Sequence, residues 1–204
     1  MSKIYHLVVL CILLTVYYLL LPSSVSAQIF WSTPQKINTS SNQSLLPATT
    51  TGPNGYLHTV WTEMDSTVTT PNFWNGVQNP GIFYSYWNGD AWSTPKKVSQ
   101  NNNFAGFPSI AVTSDNKIHI IWEDDSSNAE NSWGRILYSS STDYGVSWSS
   151  PVSIAQSLDL QAGSWSWYPR MVMDSANNLH VSFLFTSDIQ TNSRVYYTKY
   201  SSNV

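Results

Sequence analysis

The chain has 204 residues, with 14% aromatic and only 10% charged residues and a formal net charge of -3. So few clustered Lys and Arg leave no electrostatic footprint for nucleic acid and nothing basic enough to hold a membrane surface. Ser, Thr and Asn fill the polar positions and no helical heptad is visible, which suits a β-rich extracellular protein rather than a helical one.

The first element is a targeting segment. Lys3 precedes a mostly apolar run from Ile4 to Leu21, and Pro22-Ser-Ser-Val-Ser-Ala27 supplies small residues at Val25 and Ala27 before Gln28. The unbroken apolar core is short for a bilayer span of about twenty residues, so residues 1–27 are expected to be a cleaved signal peptide rather than an anchor. The expectation is a secreted protein with no membrane association after cleavage. The single cysteine, Cys11, falls inside that segment, so a chain starting at Gln28 needs no disulfide and holds no Cys-ligated metal.

Residues 28–204 repeat. Pro47, Pro108 and Pro169 stand 61 residues apart, as do His58, His119 and His180. Around these markers the text recurs: WSTPQKI from Trp31, WSTPKKV from Trp92 and WSSPVSI from Trp148; GYLHTVW, NKIHIIW and NNLHVSF; IFYSYW, RILYSSS and RVYYTKY. A period of this size made of short β-type runs predicts an all-β chain of β-propeller blades. In the second repeat PSIAV from Pro108 is the first strand, KIHIIWED the second, RILYSSS the third and SWSSPVSI the fourth, an antiparallel set of four.

The turn between the third and fourth strands of that repeat reads STDYGVSW, residues 141–148. Asp143 is expected to accept backbone N–H bonds within the turn, Gly145 to take positive φ, and Trp148 to anchor the next strand. The preceding repeat has WNGDAW in the same place, where Asn88-Gly89 predicts a type I′ hairpin. Ser141, Asp143, Gly145 and Trp148 match S-x-D-x-G-x-x-W, and with the recurring strand texts the chain resembles the bacterial-neuraminidase-repeat (Asp-box) β-propellers, a group that includes sialidases and many other secreted proteins. The resemblance covers all three repeats and implies that the box is structural and lies on the face opposite the ligand site.

The phase of the repeats gives an expectation about assembly. The mature chain opens with a fourth-strand text, Ile29 to Ile37, and ends with a third-strand text, Arg194 to Tyr200. Three blades are fewer than the four to eight that close a propeller. The sequence therefore reads as a partial propeller belonging to a longer chain, or as half of a six-bladed ring in a homodimer that pairs the two edges.

Function is sought on the face opposite the box, in loops 62–76, 123–135 and 156–170, which are rich in Trp, acids and amides. Trp133, Trp165 and Trp167 are candidates to stack on sugar faces, with Glu123, Asp124 and Arg170 to bond hydroxyl or charged groups. The alternative is a set of solvated loops whose tryptophans fold back on the blades. For a sialidase the resemblance implies a Tyr nucleophile assisted by an acid, an Asp acid/base and an arginine triad on the substrate carboxylate. The chain has Arg135, Arg170 and Arg194; Arg135 and Arg194 open equivalent strands of different blades, and only Arg170, after Pro169, stands where the family places a clamp residue. His58, His119 and His180 fall once per blade, around a ring instead of at one point, so they read as half-buried blade residues, and no metal or cofactor is expected. Three readings follow: a glycan-binding propeller segment, a fragment of an exo-α-sialidase-type glycoside hydrolase completed by further blades, and a structural adhesion or scaffold module.

Overall fold

Each repeat folds as the period-2 patterns require. In a computed structural model that describes residues 31–64, 80–100, 104–124, 134–159, 164–187 and 192–201, the first repeat forms β1 (Ser44–Thr51), β2 (Leu57–Glu63), β3 (Gly81–Trp87) and β4 (Lys96–Lys97). The second forms β5 (Ala105–Val112), β6 (Ile118–Asp124), β7 (Arg135–Ser141) and β8 (Val152–Ser153); a single helical turn α1 (Gln156–Asp159) leads to β9 (Trp165–Met173), β10 (Leu179–Thr186) and β11 (Arg194–Tyr200). These make three antiparallel sheets ordered β1-β2-β3-β4, β5-β6-β7-β8 and β9-β10-β11, so the chain is all-β with blade-type sheets. The signal segment 1–27 lies outside the described residues. Among those residues no helix is long and apolar enough to cross a membrane.

Two expectations need correction. The fourth strands are much shorter than their texts suggest: only two residues each pair in ladder geometry, after Pro95 and Pro151, which have no N–H to give the ladder. Ahead of each proline a serine continues the attachment, with Ser93 N donating to Tyr86 O at 2.8 Å and Ser149 N to Ser140 O at 2.9 Å. The text Ile29 to Ile37 contains no strand over its described part, residues 31–37, and β11 is the edge of a three-stranded sheet. The WNGDAW hairpin is also not type I′. Gly89 takes φ 106°, but Asn88 is not left-handed; its side-chain Oδ1 instead accepts from Asp90 N and Ala91 N, both at 2.9 Å, across a longer loop.

The core lies between sheets. Val60, Ile82 and Tyr84 from the first sheet pack with Ile118, Ile120 and Trp122 from the second. Ile121 and Ile136 then pack with Met171, Val181, Phe183 and Phe185 of the third. Neighbouring residues of β6 thus serve two different cores, which is why all seven of its residues are buried, the polar His119, Glu123 and Asp124 included. Each such side chain removed from water contributes about 1.5–3 kcal/mol.

The three histidines are tied into this framework. Each shares a hydrogen bond through Nδ1 with a Tyr Oη on the next strand, His58 with Tyr84 at 2.7 Å, His119 with Tyr138 at 2.8 Å and His180 with Tyr197 at 2.9 Å. In each blade the tyrosine stands two residues before the one in register with the histidine, a diagonal cross-strand pair. His58 and His119 are fully buried, more deeply than the sequence suggests, and His180 is partly exposed.

Candidate functional site

The first strand of every blade carries a bulge at the same place, just before the repeated proline. Leu46, Phe107 and Tyr168, spaced like the prolines, all take left-handed φ, at 55°, 50° and 51°, and the ladder register shifts at or directly opposite each one. A bulky side chain in that region is strained by roughly 1 kcal/mol or more. The bulge re-aims the chain at the end of the blade away from the STDYGVSW turn.

In the third blade the bulge builds a cavity. Trp165, Trp167, Tyr168 and Glu123 line a space of about 200 Å³. Trp165 and Trp167 meet edge to face, centroids 5.1 Å apart with planes at 90°. Tyr168, 39% exposed, has its ring braced by Phe107 at 4.6 Å and 84°. Glu123, near the end of β6 and only 3% exposed, accepts weak bonds from Trp165 Nε1 and from Tyr168 N, both at 3.4 Å. The indole of Trp165 lies where Gly134 has no side chain: a Cβ there would sit 2.4 Å from the ring.

The remaining sequence candidates do not join them. Asp124 follows Glu123 on the strand and so points to the other face; it is 1% exposed and 4.0 Å from Arg135 Nη2. Arg170 is exposed on β9, opposite Ser182, and its Nη1 donates to the carbonyl of Pro169 at 2.9 Å. It does not line the cavity. Trp133 lies outside the described residues. Tyr168, which lines the cavity, is not among the candidates that the sequence offers. Neither is Gly134, whose lack of a side chain makes room for the Trp165 indole.

The STDYGVSW turn lies at the far end of the same sheet, since Ser141 pairs with Ile118 while Glu123 is near the other end of β6, a separation of about 17 Å at strand rise. Ser147 N donates to Asp143 Oδ1 and Oδ2 at 2.9 and 3.1 Å, and Ser141 Oγ to Oδ1 at 2.7 Å. With Ser147 Oγ donating as well, these bonds hold the Asp143 carboxyl down at about 2. Gly145 N donates to Ser141 Oγ at 2.9 Å, and Gly145 takes φ 79°. A Cβ on Gly145 would meet the Tyr84 ring at 2.4 Å, and Trp148 packs edge-on to that ring, so the turn seals one blade onto the next.

No family model matches the chain, and no curated protein matches its sequence. Solved structures do resemble its fold. A Hadza microbial sialidase, Hz136, superposes with a TM-score of 0.60 at 14% identity, over 78% of this chain and 35% of that one. An endo-arabinase from Bacteroides thetaiotaomicron gives 0.53 at 14% identity over 83% of this chain and 60% of that one. The NanB sialidase from Streptococcus pneumoniae gives 0.50 at 11% identity over 83% and 47%. The chain thus spans about a third to three fifths of the length of these structures, and at such identities the likeness is one of fold.

Proposed function

We propose that the chain is a secreted, sialidase-like propeller segment that binds glycan in the cavity between the second and third blades. The observation that carries this reading is the convergence of Trp165, Trp167 and Tyr168 on the Glu123 carboxylate. Aromatic faces cover the apolar C–H side of a sugar ring, and a carboxylate accepts from its hydroxyls. A volume of about 200 Å³ is below the roughly 300–1,000 Å³ of sites that enclose a drug-sized ligand and suits one sugar unit at the end of a chain.

Catalysis of the sialidase type finds less support. Arg170 is turned onto a backbone carbonyl, and a glycosidase built on this fold would draw its clamp and nucleophile from further blades. The test is a glycan array probed with the chain from Gln28 onward. Trp167→Ala is expected to weaken the best signal by about tenfold or more while the melting curve stays cooperative. A folded wild type that retains no glycan removes the reading.

A further inference from the structure

The outer face of the third sheet carries a set of groups that the glycan-binding reading does not use. Leu179, Val181 and Phe183 of β10 face the core shared with the second sheet, so the alternate residues His180 and Ser182 face the other way. On that face Asp174, His180 and Tyr197 stand in one line. Asp174 Oδ2 lies 3.0 Å from His180 Nε2, and Tyr197 Oη lies 2.9 Å from His180 Nδ1. We infer that Tyr197 is an activated tyrosine at which an acyl donor modifies the chain, with His180 as the base and Asp174 as the residue that positions it.

The direction of the protons follows from the carboxylate. Asp174 accepts from Ala176 N at 2.9 Å, from Asn178 N at 2.8 Å and from Asn178 Nδ2 at 2.7 Å, a set of donors that keeps it ionised. It can only accept from His180, so Nε2 carries the ring hydrogen, and a neutral imidazole then offers its Nδ1 lone pair to the Tyr197 hydroxyl. As Tyr197 Oη attacks an acyl carbon, the O–C bond forms, the bond to the leaving group breaks, and the phenolic proton passes to Nδ1. Asp174 holds the imidazolium until that proton goes to the departing group.

The other blades have the pair without the whole line. His58 Nε2 has no hydrogen-bond partner among the described residues, and Tyr84 is buried. His119 Nε2 meets Thr113 Oγ1 at 3.3 Å, which in turn donates to Asp115 Oδ1 at 2.6 Å, and Tyr138 is half-buried and stacked on Tyr200. Of the three tyrosines only Tyr197, 61% exposed, joins open access to a histidine bonded directly to a carboxylate.

The experiment treats the chain from Gln28 onward with N-acetylimidazole at a pH of about 8, where an ordinary imidazole is neutral, and follows each tyrosine by peptide mass spectrometry. Hydroxylamine strips acetyl from a phenolic oxygen and leaves acetyl-lysine intact, which separates Tyr197 from Lys199. Tyr200, on the same strand and 45% exposed, is the internal reference. Tyr197 is expected to acetylate at least tenfold faster than Tyr200. Asp174→Asn puts an amide in place of the carboxylate, and an amide that donates to Nε2 turns the imidazole to the other tautomer. This variant should slow Tyr197 to about the Tyr200 rate, while Tyr200 itself and the cooperativity of melting stay unchanged. His180→Gln should do the same. Equal rates at Tyr197 and Tyr200 in the wild type would overturn the inference, and so would a fast Tyr197 that neither variant slows, since exposure alone would then explain it. None of the three residues lines the aromatic cavity, so glycan binding stands or falls separately.

Discussion

The second and third blades carry the same His–Tyr pair in the same geometry, 2.8 Å in one and 2.9 Å in the other, and yet they place it in different surroundings. His119 is 2% exposed, because the second sheet is packed on both faces. On the third sheet Tyr197 is 61% and Val195 75% exposed, because no further sheet covers them among the described residues. What the histidine's other nitrogen meets follows that difference. Thr113 Oγ1 lies 3.3 Å from His119 Nε2, whereas Asp174 Oδ2 lies 3.0 Å from His180 Nε2. In the first blade the position is Gly52, and the buried His58 Nε2 has no hydrogen-bond partner among the described residues. A full charge thus stands in this place only where water reaches it, as the cost of burying an ion requires. The hydrogen bond from His180, followed by those from Asn178, holds the Asp174 carboxyl well below the usual carboxylate range.

The sharpest way to break this comparison is to delete one apolar side chain from each environment. Trp122 faces the first core and is fully buried, so Trp122→Ala is expected to cost about 3–5 kcal/mol of unfolding free energy. Val195→Ala on the open face should change it by about 0.5 kcal/mol or less. Urea titration of both variants reads the difference, and similar costs would show that the third sheet is covered in solution.

Acid should act on the buried pairs. Burial lowers His58 and His119 from the ordinary 6.5 to about 4, with Lys117 adding to the effect at His119. Their folded-state pKa lies below the unfolded one, so the unfolded chain binds more protons between these values. The stability they support is therefore complete above about pH 6.5 and is lost as the pH falls towards 4, by on the order of 3 kcal/mol for each histidine. Melting temperatures measured across that window check this, and His119→Gln should flatten part of the slope. A melting temperature that stays constant from pH 6.5 to 4 would count against burial as the cause.

How much of this was legible in the sequence depends on whether the feature repeats. The blades were readable because the Pro and His markers and the strand texts keep one period, and a period survives in the sequence whatever packs around it. The face of the cavity was readable too, and Glu123, Trp165 and Trp167 came from it. The burial of the histidines was not, since it depends on which sheet lies against which. The left-handed bulge at Tyr168 was hidden because nothing in a bulky residue before proline announces positive φ. Arg170 failed as a cavity residue for a related reason: the bulge shifts the register between Trp167 and Arg170, so position along the strand no longer predicts the side to which a residue points. The expectation of a homodimer needs two complementary edges; β11 has one neighbour among the described residues, but residues 31–37 form no strand to pair with it.

The smallest effects belong to the STDYGVSW turn, and they separate its two jobs. Gly145→Ala puts a methyl group where the Tyr84 ring already lies and forces alanine to φ 79°, so it should cost about 1–3 kcal/mol and loosen the contact between the first and second blades. Asp143→Ala removes acceptors only from donors within its own turn, and those donors can turn to water. It should lower the melting temperature by less than Gly145→Ala does. Neither variant touches the cavity at the other end of the sheet, so glycan affinity measured on the folded variants should equal that of the wild type. Loss of binding by Asp143→Ala at an unchanged melting temperature would mean that the turn, and not the aromatic cavity, meets the ligand.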